Sequence, residues 1–288
     1  MAQHLPSPTT ESYAISNKNH DFSRYIDRLT DFAMKAGAES EDLATAFVSG
    51  YQAAIRCIDT SLDQRFLASY CVNERNMSNL RMMETQWQHD KASLSGGKSY
   101  AALAGNGLDI VYVVARPSSQ SPATSTKDLM LLRIKLSESN IKVVEPVKAF
   151  PIFPNLVHAA LVFNNCHGGE VLYPTDAHQI INRPFRYWED ILVALSFSHW
   201  LMSRLPDNIN TKKNLFQRTQ ALKASFGQHP WAYCAATLAA FELLTKCMNE
   251  CSMHLTDVEN SMWNRDSKVL FLGSKAREKL KMKFASEQ

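Results

Sequence analysis

Two adjacent carboxylates, Glu189 and Asp190, stand just before a run in which Ile191, Leu192, Val193, Ala194, Leu195, Phe197, Trp200, Leu201 and Met202 leave almost no polar face. A carboxylate at the mouth of a buried helix can serve as a general base, because loss of solvent disfavours its charged form and lifts its pKa toward working pH. Pro184 fixes the chain's entry into this helix, and Phe185 and Trp188 offer apolar walls. Neighbouring residues on a helix point about 100° apart, so Asp190 cannot share the direction of Glu189. Glu189 is therefore the candidate base. The pair also fits plain first-turn acids favoured by the helix dipole, which would lower both pKa values.

Other side chains invite chemistry and have simpler readings. His158 and His167 bracket a β-rich segment, yet no Cys or carboxylate lies at ligand spacing, so satisfied polar residues at strand ends are expected and no metal site. Glu74 has Arg75 and Arg81 nearby as local partners. Trp263, Arg265 and Asp266 read as a cap on the last helix. The six cysteines, Cys57, Cys71, Cys166, Cys234, Cys247 and Cys251, show no CxxC spacing and read as reduced, buried thiols of a cytoplasmic protein.

Positioning these groups requires three kinds of element. Residues 1–20 are polar and predict a loose arm. From Asp21 to about Tyr70 the pattern is helical: Phe22, Tyr25, Ile26, Leu29 and Phe32 form one helix that Gly37 stops. Leu43, Phe47, Tyr51, Ala54, Ile55 and Ile58 form a second, and Leu62 to Tyr70 a third. Residues 71–182 change texture. A loop at 71–85 leads to short β-rich runs over 107–116, 129–136, 141–147 and 156–167, joined by polar connections such as 117–126, and these predict an antiparallel sheet or small barrel. Residues 183–288 read as a four-helix bundle whose central member is Arg183 to Leu205, with Ala232 to Met253 and Ser261 to Ala285 as later helices. The fold class is α+β.

Composition narrows the partners. With 45% hydrophobic residues and a net charge of +3, the chain can build a sizeable core and shows no demand for nucleic acid. The basic run from Lys275 to Lys283 fits the wet face of a helix that turns Leu280 and Phe284 inward. No basic and apolar leader opens the sequence and no apolar run reaches about 18 residues, so neither signal peptide nor membrane span is expected.

Helices, a small antiparallel β region and a four-helix bundle, in that order, resemble the acyl-CoA dehydrogenases. Gly96, Gly97, Lys98, Ser99 and Tyr100, followed by Gly107 to Arg116, resemble that family's middle-domain strands. Val72, Asn73 and Glu74 fall where the family has Thr-Glu before a flavin loop, and residues 150–163 resemble the strand leaving the domain. The resemblance spans roughly residues 25–205, and the order of the motifs carries it more than any single one. It implies an oxidoreductase of fatty acid metabolism that binds FAD through Asn73, Glu74, Ser99, Tyr100 and Ala101, acts on acyl-CoA or another acyl thioester, and associates as a homodimer through its bundle. One branch, resembling isovaleryl- and long-chain enzymes, carries its base at the start of the first bundle helix, which matches Glu189. Three features depart from the family: Arg75 to Asn79 replace Gly-Ser-Asp, Ala101 stands where Ser or Thr is usual, and only Gly227 and Gly273 follow Leu201. The alternative is a catalytically degenerate relative that keeps the fold as a binding or assembly module.

Overall fold

The computed structural model describes residues 11–104, 107–119, 125–138, 140–144, 151–207 and 210–287, with side chains from residue 22 onward. Two helices come first, α1 (Glu11–Glu39) and α2 (Leu43–Ile58), the second begun by Asp42 accepting from the Thr45 amide. The chain then builds β1 (Leu67–Cys71), β2 (Gln86–Gln88), β3 (Ser93–Ala102), β4 (Leu108–Pro117), β5 (Met130–Lys135), β6 (Ile141–Val144), β7 (His158–Cys166) and β8 (Glu170–Tyr173). It returns to helix as α3 (Arg183–Arg204), α4 (Asn210–Gln228), α5 (Ala235–Ser252), α6 (Asp257–Asp266) and α7 (Ser274–Ser286). This is the expected α+β order of helices, sheet and helices.

The strands form one eight-stranded sheet in the order β6-β7-β3-β2-β4-β5-β8, with β1 beside β4. Among the described residues most pairings are antiparallel, including β3 with β7 and β4 with β5. Two are parallel: β1 with β4 over five residues, and β2 with β4 at Gln86 and Trp87. The antiparallel expectation thus holds for the body of the sheet and fails where β4 meets β1 and β2.

Three local expectations are corrected. Residues 11–20, expected as loose arm, belong to α1, while 1–10 lie outside the described residues. Gly37 does not stop the first helix, which runs on to Glu39. A Cβ at Gly37 would lie 2.3 Å from the Ser196 carbonyl oxygen, so glycine is there for close approach to α3. The helix expected from Leu62 to Tyr70 is replaced by β1, because its partners are distant in sequence. Gln52 of α2 gives its amide to the Ala68 carbonyl and accepts from the Ala68 amide, and the Tyr51 hydroxyl accepts from the Tyr70 amide. Side chains of α2 thereby cover the strand edge that β4 leaves open. Parts of the 117–126 connection and of the 141–147 and 150–163 runs lie outside the described residues.

α3 packs on α1, α2, α4 and α5, which makes it the central helix of the molecule. Its approach to α2 is as close as to α1: a Cβ at Gly50 would stand 2.6 Å from the Val193 Cα, and Ser196 donates to the Ala46 carbonyl at 2.7 Å. Trp188, Phe197 and Trp200 are fully buried along it. The last expected helix, Ser261 to Ala285, is divided, since a 3₁₀ turn at Ser267–Phe271 and Gly273 separate α6 from α7.

Candidate functional site

Glu189 lies in the second turn of α3, and a π-helical turn at His178–Asn182 runs directly into that helix. It is therefore not a first-turn acid, and a dipole that falls off within one turn exerts little pull on it. The carboxylate is half-buried and, among the described residues, has no hydrogen-bond or ion-pair partner. Burial first, then the negative charge of Asp190, push its pKa up to about 7, against a smaller opposing effect of Arg186.

Glu189 opens onto a cavity of about 400 Å³ between α3, α2 and the sheet. Tyr51 of α2, Tyr70 of β1 and Phe185 of α3 form its aromatic walls, with rings 4.4 Å apart for Tyr70 and Phe185. Asn73 and Tyr100 line the same space, so the structure joins two of the expected cofactor residues to the expected base. Asn182 contributes an amide that accepts from the Tyr70 hydroxyl at 3.4 Å. Tyr51, Tyr70 and Arg186 were not legible as site residues. Tyr51 reads as one more apolar position on α2, and Tyr70 points into the cavity only because its segment is strand.

A second cavity, of about 780 Å³, lies on the sheet side and is lined by Glu74, Arg75, Lys98, Ser99, Tyr100 and Leu161 among others. Tyr100 is half exposed and borders both spaces. Ser99 gives its amide to the Asn73 carbonyl at 2.8 Å, while its buried hydroxyl has no partner among the described residues. Glu74 is committed: it takes Lys98 at 2.7 Å and accepts from the Glu84 and Thr85 amides. Burial pushes its pKa up, but Lys98 and these donors bring it below the ordinary value. Its partner is Lys98, not Arg75 or Arg81. Ala101, the remaining expected cofactor residue, is wholly buried on the inward side of β3 and lines neither of these two cavities.

Asp190 faces away from the aromatic-walled cavity. It accepts from Arg277 at 2.6 Å and from the Tyr233 hydroxyl at 3.1 Å. His158 bonds the Leu156 carbonyl, and burial lowers its pKa. Among the described residues no group of three or more His, Cys, Asp or Glu side chains could hold a metal ion. Asp266 does not cap the last helix: fully buried, it takes Arg265 and the Phe153 amide, tying the bundle to the segment entering β7. The described cysteines are free thiols.

No protein-family model and no curated protein matches this sequence. Solved structures do match. Butyryl-CoA dehydrogenase from Megasphaera elsdenii superposes with a TM-score of 0.61 at 9% identity, over 88% of this chain and 79% of that one. The prolyl acyl carrier protein oxidase AnaB gives 0.58 at 14% identity, over 90% and 89%. The FAD complex of PigA gives 0.55 at 14% identity, over 90% and 75%. The chain has the acyl-CoA dehydrogenase-like fold. Among the described residues no helix is long and apolar enough to cross a membrane.

Proposed function

We propose that this chain is a flavin-dependent oxidoreductase that dehydrogenates an acyl thioester, with Glu189 as the base. The observation that carries the reading is an unpaired carboxylate, raised to about 7, facing Asn73 and Tyr100 across one aromatic-walled cavity. Its volume of about 400 Å³ is within the range of small-molecule sites. The sheet wall fits the ring end of a flavin: Tyr100 offers a half-exposed aromatic face, Asn73 an amide and Ser99 an unpartnered hydroxyl. Arg75, which among the described residues has no ion-pair partner, lines the same wall and would meet the phosphates. FAD, when bound, supplies the acceptor for the hydride that leaves the β carbon.

The chain's own residues do the rest. Glu189 takes the proton beside the thioester carbonyl, and an acid with a pKa near working pH is suited to both taking and releasing it. Tyr51, Tyr70 and Phe185 supply the apolar flank of the proton's path. Related structures act on a coenzyme A ester and on a carrier-protein-bound prolyl group by their names, which supports an acyl thioester as the substrate class.

Reconstitution with FAD should give a yellow protein that bleaches with an acyl thioester. Glu189→Gln keeps the size and hydrogen bonding of the side chain, and should lower the bleaching rate by about 10²–10⁴-fold with flavin content unchanged. Full activity in that variant would refute the assignment. A second reading, a module that keeps the fold without the chemistry, draws on the internal commitment of Glu74 and the burial of Ala101. A colourless protein that takes up no FAD would establish it over the first.

A further inference from the structure

Glu189 has a second side. Besides the aromatic-walled space it lines a cavity of about 170 Å³, shared with Arg186, Asp190 and Val193 of α3 and walled on the other side by Val269, Leu270 and Leu272 of the C-terminal segment. That segment is seated in the core by Leu270 and tied to α3 by Arg277. Arg277 of α7 bonds Asp190 at 2.6 Å, donates to the Leu270 carbonyl and lies over the Phe241 ring at 4.6 Å. Asp190 also takes the Tyr233 hydroxyl, so the side chain next to the base gathers α7 and the chain entering α5 onto α3. Gly273 makes room for the junction: a Cβ there would lie 2.6 Å from Arg277 Nη1 and 3.4 Å from both Arg186 Nη2 and Asp190 Oδ2.

We infer that Arg277 is a positioning residue for Glu189: its bond to Asp190 latches residues 267–273 against α3, and the latched segment forms the rear wall that keeps water from the carboxylate. The role as base rests on the proposed function, whereas the wall does not. A buried ion pair stripped of one partner leaves an uncompensated charge, so a lone substitution would confuse loss of the latch with loss of the fold. Removing both charges avoids this.

The test uses the full chain and the double variant Asp190→Asn with Arg277→Gln, beside Arg277→Lys and Gly273→Ala. Two readouts need no flavin: amide hydrogen exchange over residues 267–273, and the rate at which a water-soluble carbodiimide labels Glu189, read by mass spectrometry. The double variant should exchange and label about tenfold faster or more, with β4 and β5 amides unchanged. Gly273→Ala should move the same way to a smaller extent, and Arg277→Lys should restore part of the protection. Unchanged exchange and labelling in a folded double variant would overturn the latch. Where Glu189→Gln is inactive as expected, the double variant should also lower kcat at constant KM. If Glu189→Gln proves fully active instead, the protection data still decide the latch, and only its catalytic purpose falls.

Discussion

A carboxylate that burial holds protonated to about 7 has a calculable effect on both rate and stability. The base must be ionised to act, so dehydrogenation should rise about tenfold per pH unit below 7 and level off above it. Stability runs the other way. Folded Glu189 keeps its proton to about 7 and unfolded Glu189 only to 4.5, so between those values the folded state binds more protons and stability falls as pH rises. Glu189→Gln removes that loss. Thermal melts should therefore place the variant a few degrees above the parent at pH 8 and level with it at pH 4; equal melting temperatures at both would show that the carboxylate is not held out of water. The place of Glu189 was legible, because a pair of acids before an apolar run is a local pattern and helix geometry separates the two. Its surroundings were not: Tyr51 comes from α2, Tyr70 from β1 and Arg277 from α7, and no local pattern relates those positions.

At the scale of elements, α3 stays in place because two neighbours touch its backbone with no side-chain layer between. Gly50→Ala should therefore cost about 1–3 kcal/mol in urea unfolding, where alanine for glycine in an exposed helix would gain up to about 1. In the sheet, Lys98 is 2% exposed and, among the described residues, pairs with the carboxylate of Glu74. Lys98→Met leaves Glu74 with its two backbone donors but no counter-charge, and should cost about 3 kcal/mol in the same measurement at pH 7. The helices α3, α4 and α5 could be read within their own segments, whereas the break between α6 and α7 could not. β1 could not, because Leu62, Phe66 and Tyr70 happen to repeat at four residues and mimic a helix, while the Gln52 and β4 contacts that make it a strand lie 16 or more residues away. Gly37 misled for a like reason: a break signal in sequence was, in space, a contact with Ser196.

At the scale of the whole molecule, self-association is the open surface question, and we expect a homodimer. α5 buries Leu238, Phe241, Leu244 and Met248 within its own chain, so the apolar excess read from its sequence is mostly met internally. What remains outward includes Leu243 on α5 and Phe216 on α4, 45% and 51% exposed. Light scattering at micromolar concentration should give about twice the 32.5 kDa of the chain, and a monomer mass would remove the expectation. The aromatic corner at the end of α3 has an optical consequence. Trp188 donates to the Pro230 carbonyl beside Trp231, which stacks on Phe22 of α1 at 4.2 Å. Of the five tryptophans, Trp87, Trp188, Trp200 and Trp263 are sealed and Trp231 alone is 41% exposed. Iodide should therefore quench a minor, red-edged share of the intrinsic fluorescence, and that share reports on one place, the seam where the first helix meets the bundle.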